Sequence, residues 1–175
     1  MKEFIRFIKR HPVLFIYTTI ITVLTYGGFW LNSGDILTDT ETYITHPADT
    51  INVFLRVGRF GLVLTKKLFS TEVYSSSMTV LYMMAAMVLL CLVFDFCVHR
   101  LADEQYRNSL LPFFLVFNGL YISSPVLIHQ FYFTYQAFEM VFAFLLSVIS
   151  AYLIFGWAVR VSKKGLRTEA LHLAG

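Results

Sequence analysis

The sequence predicts an all-α integral membrane protein with about four transmembrane helices and one external interfacial amphipathic helix. Three observations carry that prediction. Of 175 residues, 57% are hydrophobic and 17% aromatic, more apolar surface than a soluble domain of this length can hide. Apolar runs over residues 12–31, 73–94 and 110–159 each reach the ~20 residues that cross a hydrocarbon core about 30 Å thick. Lys and Arg are also unevenly spread between those runs. The N-terminal tail, the turn around Arg100 and Arg107, and the C-terminal tail (Arg160, Lys163, Lys164, Arg167) hold all but Arg56, Arg59, Lys66 and Lys67. By the positive-inside rule this puts both termini in the cytoplasm and residues 33–72 outside.

Taken in order, the chain opens on a tail with Lys2, Arg6, Lys9 and Arg10, a pattern also found in signal peptides. The apolar run behind it is long for a signal peptide and ends in Trp30-Leu31-Asn32 rather than a small-x-small cleavage site. It reads as an uncleaved first span at about 12–32. The external segment begins as a loop broken by Gly34 and Pro47. Residues 50–69 then read as one unbroken interfacial helix capped by Asp49 or Thr50. A second span follows at about 73–97. The run 110–159 is too long for one crossing and is interrupted at Ser123-Ser124-Pro125, which predicts spans at about 109–128 and 132–159 with a short external turn between them. No repeat or linker divides the chain, so residues 1–175 read as a single membrane domain. The net charge of +3 is small once split between two faces, and it implies no nucleic-acid partner.

The external segment concentrates the chemistry. Asp35, Asp39 and Glu41 follow closely behind the first span, where a carboxylate at the membrane surface can act as a general base toward an acceptor hydroxyl. The plainer reading is that these are solvated loop acids. Asp35, Asp39 and His46 do not match the spacing of any specific metal site. On a helical wheel Asn52, Arg56, Arg59, Lys66 and Lys67 fall in one polar sector, opposite Val53, Phe54, Val57, Phe60, Leu64 and Leu68. Such a stripe adheres to anionic lipid without specificity. It lies, however, on the face that the rest of the chain leaves poor in cations, directly behind an acidic loop. Arg56 and Arg59, at i and i+3 of a helix, would address one phosphate, and Gly58 and Gly61 beside them would admit another helix or a lipid chain.

Polar residues inside the spans read mostly as structural. Cys91 and Cys97 are expected as two buried thiols, and no zinc or iron–sulfur spacing exists. Asp95 is expected to pair with His99 or Arg100 near the inner end of its span. Asn118 reads as interhelical glue, and the methionines between Met78 and Met87 read as filler. Glu139, below His129 and Gln130, either lines the external cavity and pairs with an arginine of the interfacial helix or bonds within the bundle.

The order of these features resembles the bacterial Gtr-type (type II) membrane glucosyltransferases, related in plan to the GT-C glycosyltransferases. The resemblance rests on Asp39-Thr40-Glu41, on Phe54-Leu55-Arg56-Val57-Gly58-Arg59-Phe60-Gly61 running into Lys66-Lys67-Leu68-Phe69, and on Ser124-Pro125 followed by Gln130-Phe131-Tyr132-Phe133. Its most specific piece is Gly58-Arg59-Phe60-Gly61. It covers nearly the whole chain. Members of that family are usually longer, with eight or more spans, so the resemblance implies the N-terminal part of a larger architecture, or a truncated copy ending in the polar stretch that closes this sequence. It further implies a multi-pass protein of the bacterial cytoplasmic membrane that moves a sugar from a polyprenyl-phosphate donor to a cell-surface glycan, without a cofactor. Asp39, with Glu41 or Asp35 as alternates, would activate the acceptor hydroxyl. Arg56 and Arg59, with Lys66 and Lys67, would hold the donor phosphate, and His129, Gln130 and Glu139 would line the cavity. Two other classes fit the same composition: a four-span accessory or flippase-type protein for lipid-linked sugars, which needs the cations but no base, and a structural subunit whose amphipathic helix only holds lipid.

Overall fold

The computed structural model describes residues 2–31, 45–72, 75–107, 109–131 and 134–173. Among them the secondary structure is helical throughout, with no strand. In chain order the helices are α1 (Lys2–Arg10), α2 (Pro12–Leu31), α3 (Pro47–Arg56), α4 (Phe60–Phe69), α5 (Ser76–Leu101), the short α6 (Glu104–Arg107), α7 (Leu110–Ile122), α8 (Pro125–Phe131) and α9 (Thr134–Leu173). Four stretches are long and apolar enough to cross a membrane: Pro12–Leu31, Ser76–Leu101, Leu110–Ile128 and Tyr135–Val159. This is a multi-pass membrane protein.

Helix α5 is the axis of the bundle. It packs along α9 and α2, while α7 leans on α2. The central core joins Tyr26 of α2, Met83, Met87 and Leu90 of α5, Ile122 of α7 and Phe138 and Val141 of α9. A second cluster at one end joins Phe7, Leu14, Leu92 and Phe114. A third, at the opposite end, joins Phe54, Val63 and Tyr135. Leu24 and Leu120 remain 77% and 70% exposed, which suits side chains whose solvent is lipid. Polar groups lock the packing further: Tyr26 Oη donates to the Ile122 carbonyl at 2.7 Å.

Several expectations change on contact with the structure. The N-terminal tail is itself a helix, because Phe4, Phe7 and Ile8 form a stripe that packs against the end of α5. His11, held out of helical geometry by the following Pro12, separates it from α2. The interfacial segment is two helices, not one. A turn at Val57-Gly58-Arg59 breaks it, with Gly58 at φ 78°, a backbone conformation that glycine adopts without the Cβ clash other residues meet. The Arg59 N–H closes the end of α3 by donating to the Phe54 carbonyl at 2.8 Å. The cap of α3 is His46 with Pro47 at the first turn, and neither Asp49 nor Thr50 serves. The helix of the last span runs on beyond it to Leu173.

Asp95 is also differently partnered. It is fully buried and accepts a hydrogen bond from Asn118 Nδ2 at 2.8 Å, while the same amide donates to Thr18 Oγ1 at 3.1 Å. His99 instead meets the Phe7 ring at a tilt and the His11 ring edge-on, and Arg100 pairs with Glu3 at 3.3 Å. Asn118 does join helices, as expected. Cys91 and Cys97 are buried free thiols.

Candidate functional site

Of the residues singled out for function, Arg56, Arg59, Lys66, Lys67 and Glu139 lie at the end of the bundle where α3 and α4 form an elbow against the start of α9. The elbow is built by termination signals. α3 stops at the left-handed Gly58, and α4 stops at Ser70, whose φ of 55° turns the chain back. The Thr71 N–H then donates to the Lys66 carbonyl at 2.9 Å, and this turn delivers Thr71 to the flank of α9. Phe69 meets Phe138 and Phe142 edge-on, each at 5.0 Å between ring centres, so the last turn of α4 is seated on α9 by aromatic contact.

Under the elbow lies a buried ion pair. Lys66 Nζ contacts Glu139 Oε1 at 2.9 Å and donates to the Tyr135 carbonyl at 2.6 Å. Thr71 Oγ1 donates to the same Glu139 oxygen at 3.0 Å, leaving Oε2 without a donor among the described residues. Both charged side chains are almost wholly enclosed, at 2% and 3% exposure. Burial pushes the Lys66 ammonium below the ordinary lysine value, and the Glu139 carboxylate pulls it partly back. The lysine nitrogen also sits 3.7 Å from the centre of the Tyr135 ring. Tyr135 stacks on Phe54, and the Arg59 guanidinium lies 5.8 Å over Phe54. A cation–ring–ring–cation series therefore runs from the exposed Arg59 to the buried Lys66.

The polar stripe expected from the helical wheel is divided by this geometry. Lys66 does not face water or headgroups; it points into the bundle on the same side as Val63. Arg56, Arg59 and Lys67 stay exposed, and none has a carboxylate partner among the described residues. Arg56 ends one helix and Arg59 begins the next, so they do not share a helical face at i and i+3. A Cβ at Gly58 or Gly61 would meet nothing within 4 Å; no other helix approaches there among the described residues, and Gly58 serves the turn. Glu139 pairs with a lysine rather than an arginine.

Of the other expected site residues, Asp35, Asp39 and Glu41 lie outside the described residues. His129 and Gln130 belong to α8, just before α9. Tyr135 and Thr71 were not singled out from sequence. Two signals pointed toward the pair: adjacent lysines lie about 100° apart on a helix, at opposite margins of the polar sector, and a lone carboxylate in an apolar span needs a donor.

What this arrangement can do is present positive charge at a membrane surface from a rigid mount. The exposed arginines suit the oxygens of a phosphate, and the ion pair fixes the elbow that carries them.

Residues 28–172 match the family model described as Glucosyl transferase GtrII, in line with the resemblance drawn from the elbow motif. No curated protein and no solved structure matches the chain.

Proposed function

The chain belongs to the glucosyl transferase GtrII family, and from that premise we propose that it serves transfer of a glucosyl residue from a polyprenyl-phosphate donor to a cell-surface glycan. The elbow would face the outside of a bacterial cytoplasmic membrane, with both termini inside, as the Lys and Arg distribution favours. The observation that carries this reading is the exposed, carboxylate-free set Arg56, Arg59 and Lys67 on the segment bearing the Gly58-Arg59-Phe60-Gly61 element, mounted on a buried Lys66–Glu139 pair.

In this reading the acceptor oxygen attacks the anomeric carbon as the bond from that carbon to the phosphate oxygen breaks. The acceptor proton passes to a carboxylate, with Asp39 the first candidate and Glu41 or Asp35 the alternates. The negative charge gathering on the departing polyprenyl phosphate is met by Arg56 and Arg59. Lys66, enclosed and paired, positions the elbow and does not touch the donor, which revises the sequence-based grouping of Lys66 with the phosphate ligands.

The test is transfer of labelled glucose from a glucosyl polyprenyl phosphate in membranes containing the protein. Arg56→Gln and Arg59→Gln are each expected to lower turnover about a hundredfold, the usual scale for losing one preorganised charge contact to a transition state. Asp39→Ala should abolish transfer while donor binding remains. Unchanged turnover in both arginine variants would refute the phosphate role. Donor binding without any turnover in the unaltered protein would favour an accessory role in handling lipid-linked sugar.

A further inference from the structure

At the end of the helices opposite the elbow, α1 folds back on the last turns of α5 and encloses a small cleft. Its volume is about 100 Å³, and its polar lining is Arg6, Arg10, Arg100, His11, His99 and Glu3. Drug-sized ligands need roughly 300 Å³ or more, so this cleft admits a group of a few atoms only. Its floor is apolar and rigid: Phe7 lies 5.7 Å from Phe96 and 5.2 Å from His99 between ring centres.

The charge balance is one-sided. The single acid, Glu3, is engaged with Arg100 at 3.3 Å. Arg6 and Arg10, one helical turn apart on the same face of α1, have no carboxylate partner among the described residues. His11 and His99 sit 5.7 Å apart, ring to ring. Burial, and after it the neighbouring Arg10 guanidinium, push His11 below the ordinary imidazole value. α1 is amphipathic, with Phe4, Phe7 and Ile8 inward and with Arg6 and Arg10 exposed at the rim of the cleft, so its polar face lies at the headgroup level that borders α2.

We propose that this cleft binds one phosphate group, with the Arg6 and Arg10 guanidinia as its ligands and the Phe7–Phe96 floor as its base. The chemistry is that of a phosphate mono- or diester held by two forked donors beside a low-dielectric wall. An anionic lipid of the adjoining leaflet or free phosphate offers the same group. The site is separate from the elbow and does not depend on the reaction assigned there.

The experiment uses the full chain in phosphatidylcholine nanodiscs in two arms. One adds phosphatidic acid and counts retained lipid by native mass spectrometry; the other titrates inorganic phosphate and follows phosphorus-31 line broadening. In whichever arm the unaltered protein binds, the double variant Arg6→Gln/Arg10→Gln is expected to bind about thirtyfold more weakly, at roughly one kcal/mol per cation. Glu3→Gln is expected to tighten binding severalfold, a gain that misfolding cannot produce. Retention of lipid alone identifies the headgroup as the source; broadening by free phosphate alone identifies the soluble ion. No binding in either arm, or equal losses from a control double variant Lys163→Gln/Lys164→Gln, overturns the proposal.

Discussion

Two buried carboxylates, Glu139 and Asp95, sit in this bundle under opposite arrangements. Glu139 meets a cation from a different element and accepts from the Thr71 hydroxyl as well, while the cation is also held by a carbonyl and a ring. Among the described residues Asp95 meets an amide, which it shares with Thr18. The first arrangement ties an external elbow to a span; the second ties three spans to one another. The difference teaches where charge is tolerated: at the bundle's end a carboxylate is matched by an enclosed cation and a hydroxyl, whereas amid the helices a carboxyl is held by neutral groups.

The sharpest way to break the contrast is to remove one member of the ion pair. Glu139→Leu leaves Lys66 enclosed without a counter-charge and is expected to destabilise by about 3 to 5 kcal/mol. Adding Lys66→Met should recover most of that loss, since a buried pair replaced by apolar residues of similar volume is often neutral. Thermal unfolding in detergent reads both; equal stability of Glu139→Leu and the unaltered chain would mean that the pair carries nothing.

The neutral cluster should respond less. Asn118→Leu removes the amide that Asp95 accepts from, at a cost of about 1 to 3 kcal/mol, and Asp95→Asn, which keeps the acceptor geometry without the carboxyl, should cost little. Glu139→Gln, the matching change at the other site, should be clearly worse than Asp95→Asn. If the two amide variants unfold at the same temperature, the distinction between the clusters fails.

The smallest effect is in alkaline pH. Burial holds Lys66 below the ordinary lysine value, so with rising pH the folded chain gives up this proton before the unfolded chain does. Between the two values the unfolded state holds the extra proton, and this group's contribution to stability rises with pH. The melting temperature of the unaltered chain minus that of Lys66→Met should therefore increase across that window. A flat difference would mean that the lysine is not enclosed.

The spans were legible because lipid imposes a length and forbids unpaired backbone, and both constraints act on residues consecutive in sequence. The elbow was half legible. Gly58 was visible as a weak point of the helix, but a wheel drawn through it assumes a continuous 3.6-residue period, and the turn resets that period so that Lys66 points inward. The partners of Asp95 were not legible at all, since Thr18 and Asn118 lie on other helices and nothing local to residue 95 distinguishes them from His99 or Arg100. The helix of the N-terminal tail was readable from Phe4, Phe7 and Ile8, but the density of cations around them drew attention to charge instead of period. Of the base candidates, the structure leaves Asp35, Asp39 and Glu41 as sequence proposals.

The Lys66–Glu139 contact also sets a clock. Its partners are 73 residues apart in the chain, and at ribosomal rates of about 5 to 20 residues per second roughly 4 to 15 seconds pass between the birth of the lysine and that of its counter-charge. During that interval the ammonium favours water, so the elbow cannot settle onto the bundle. Only the arrival of α9 lets it close. The segment that carries Gly58-Arg59-Phe60-Gly61 is thus among the last to take shape, and a nascent chain stalled before residue 139 would present its arginines on an undocked strap.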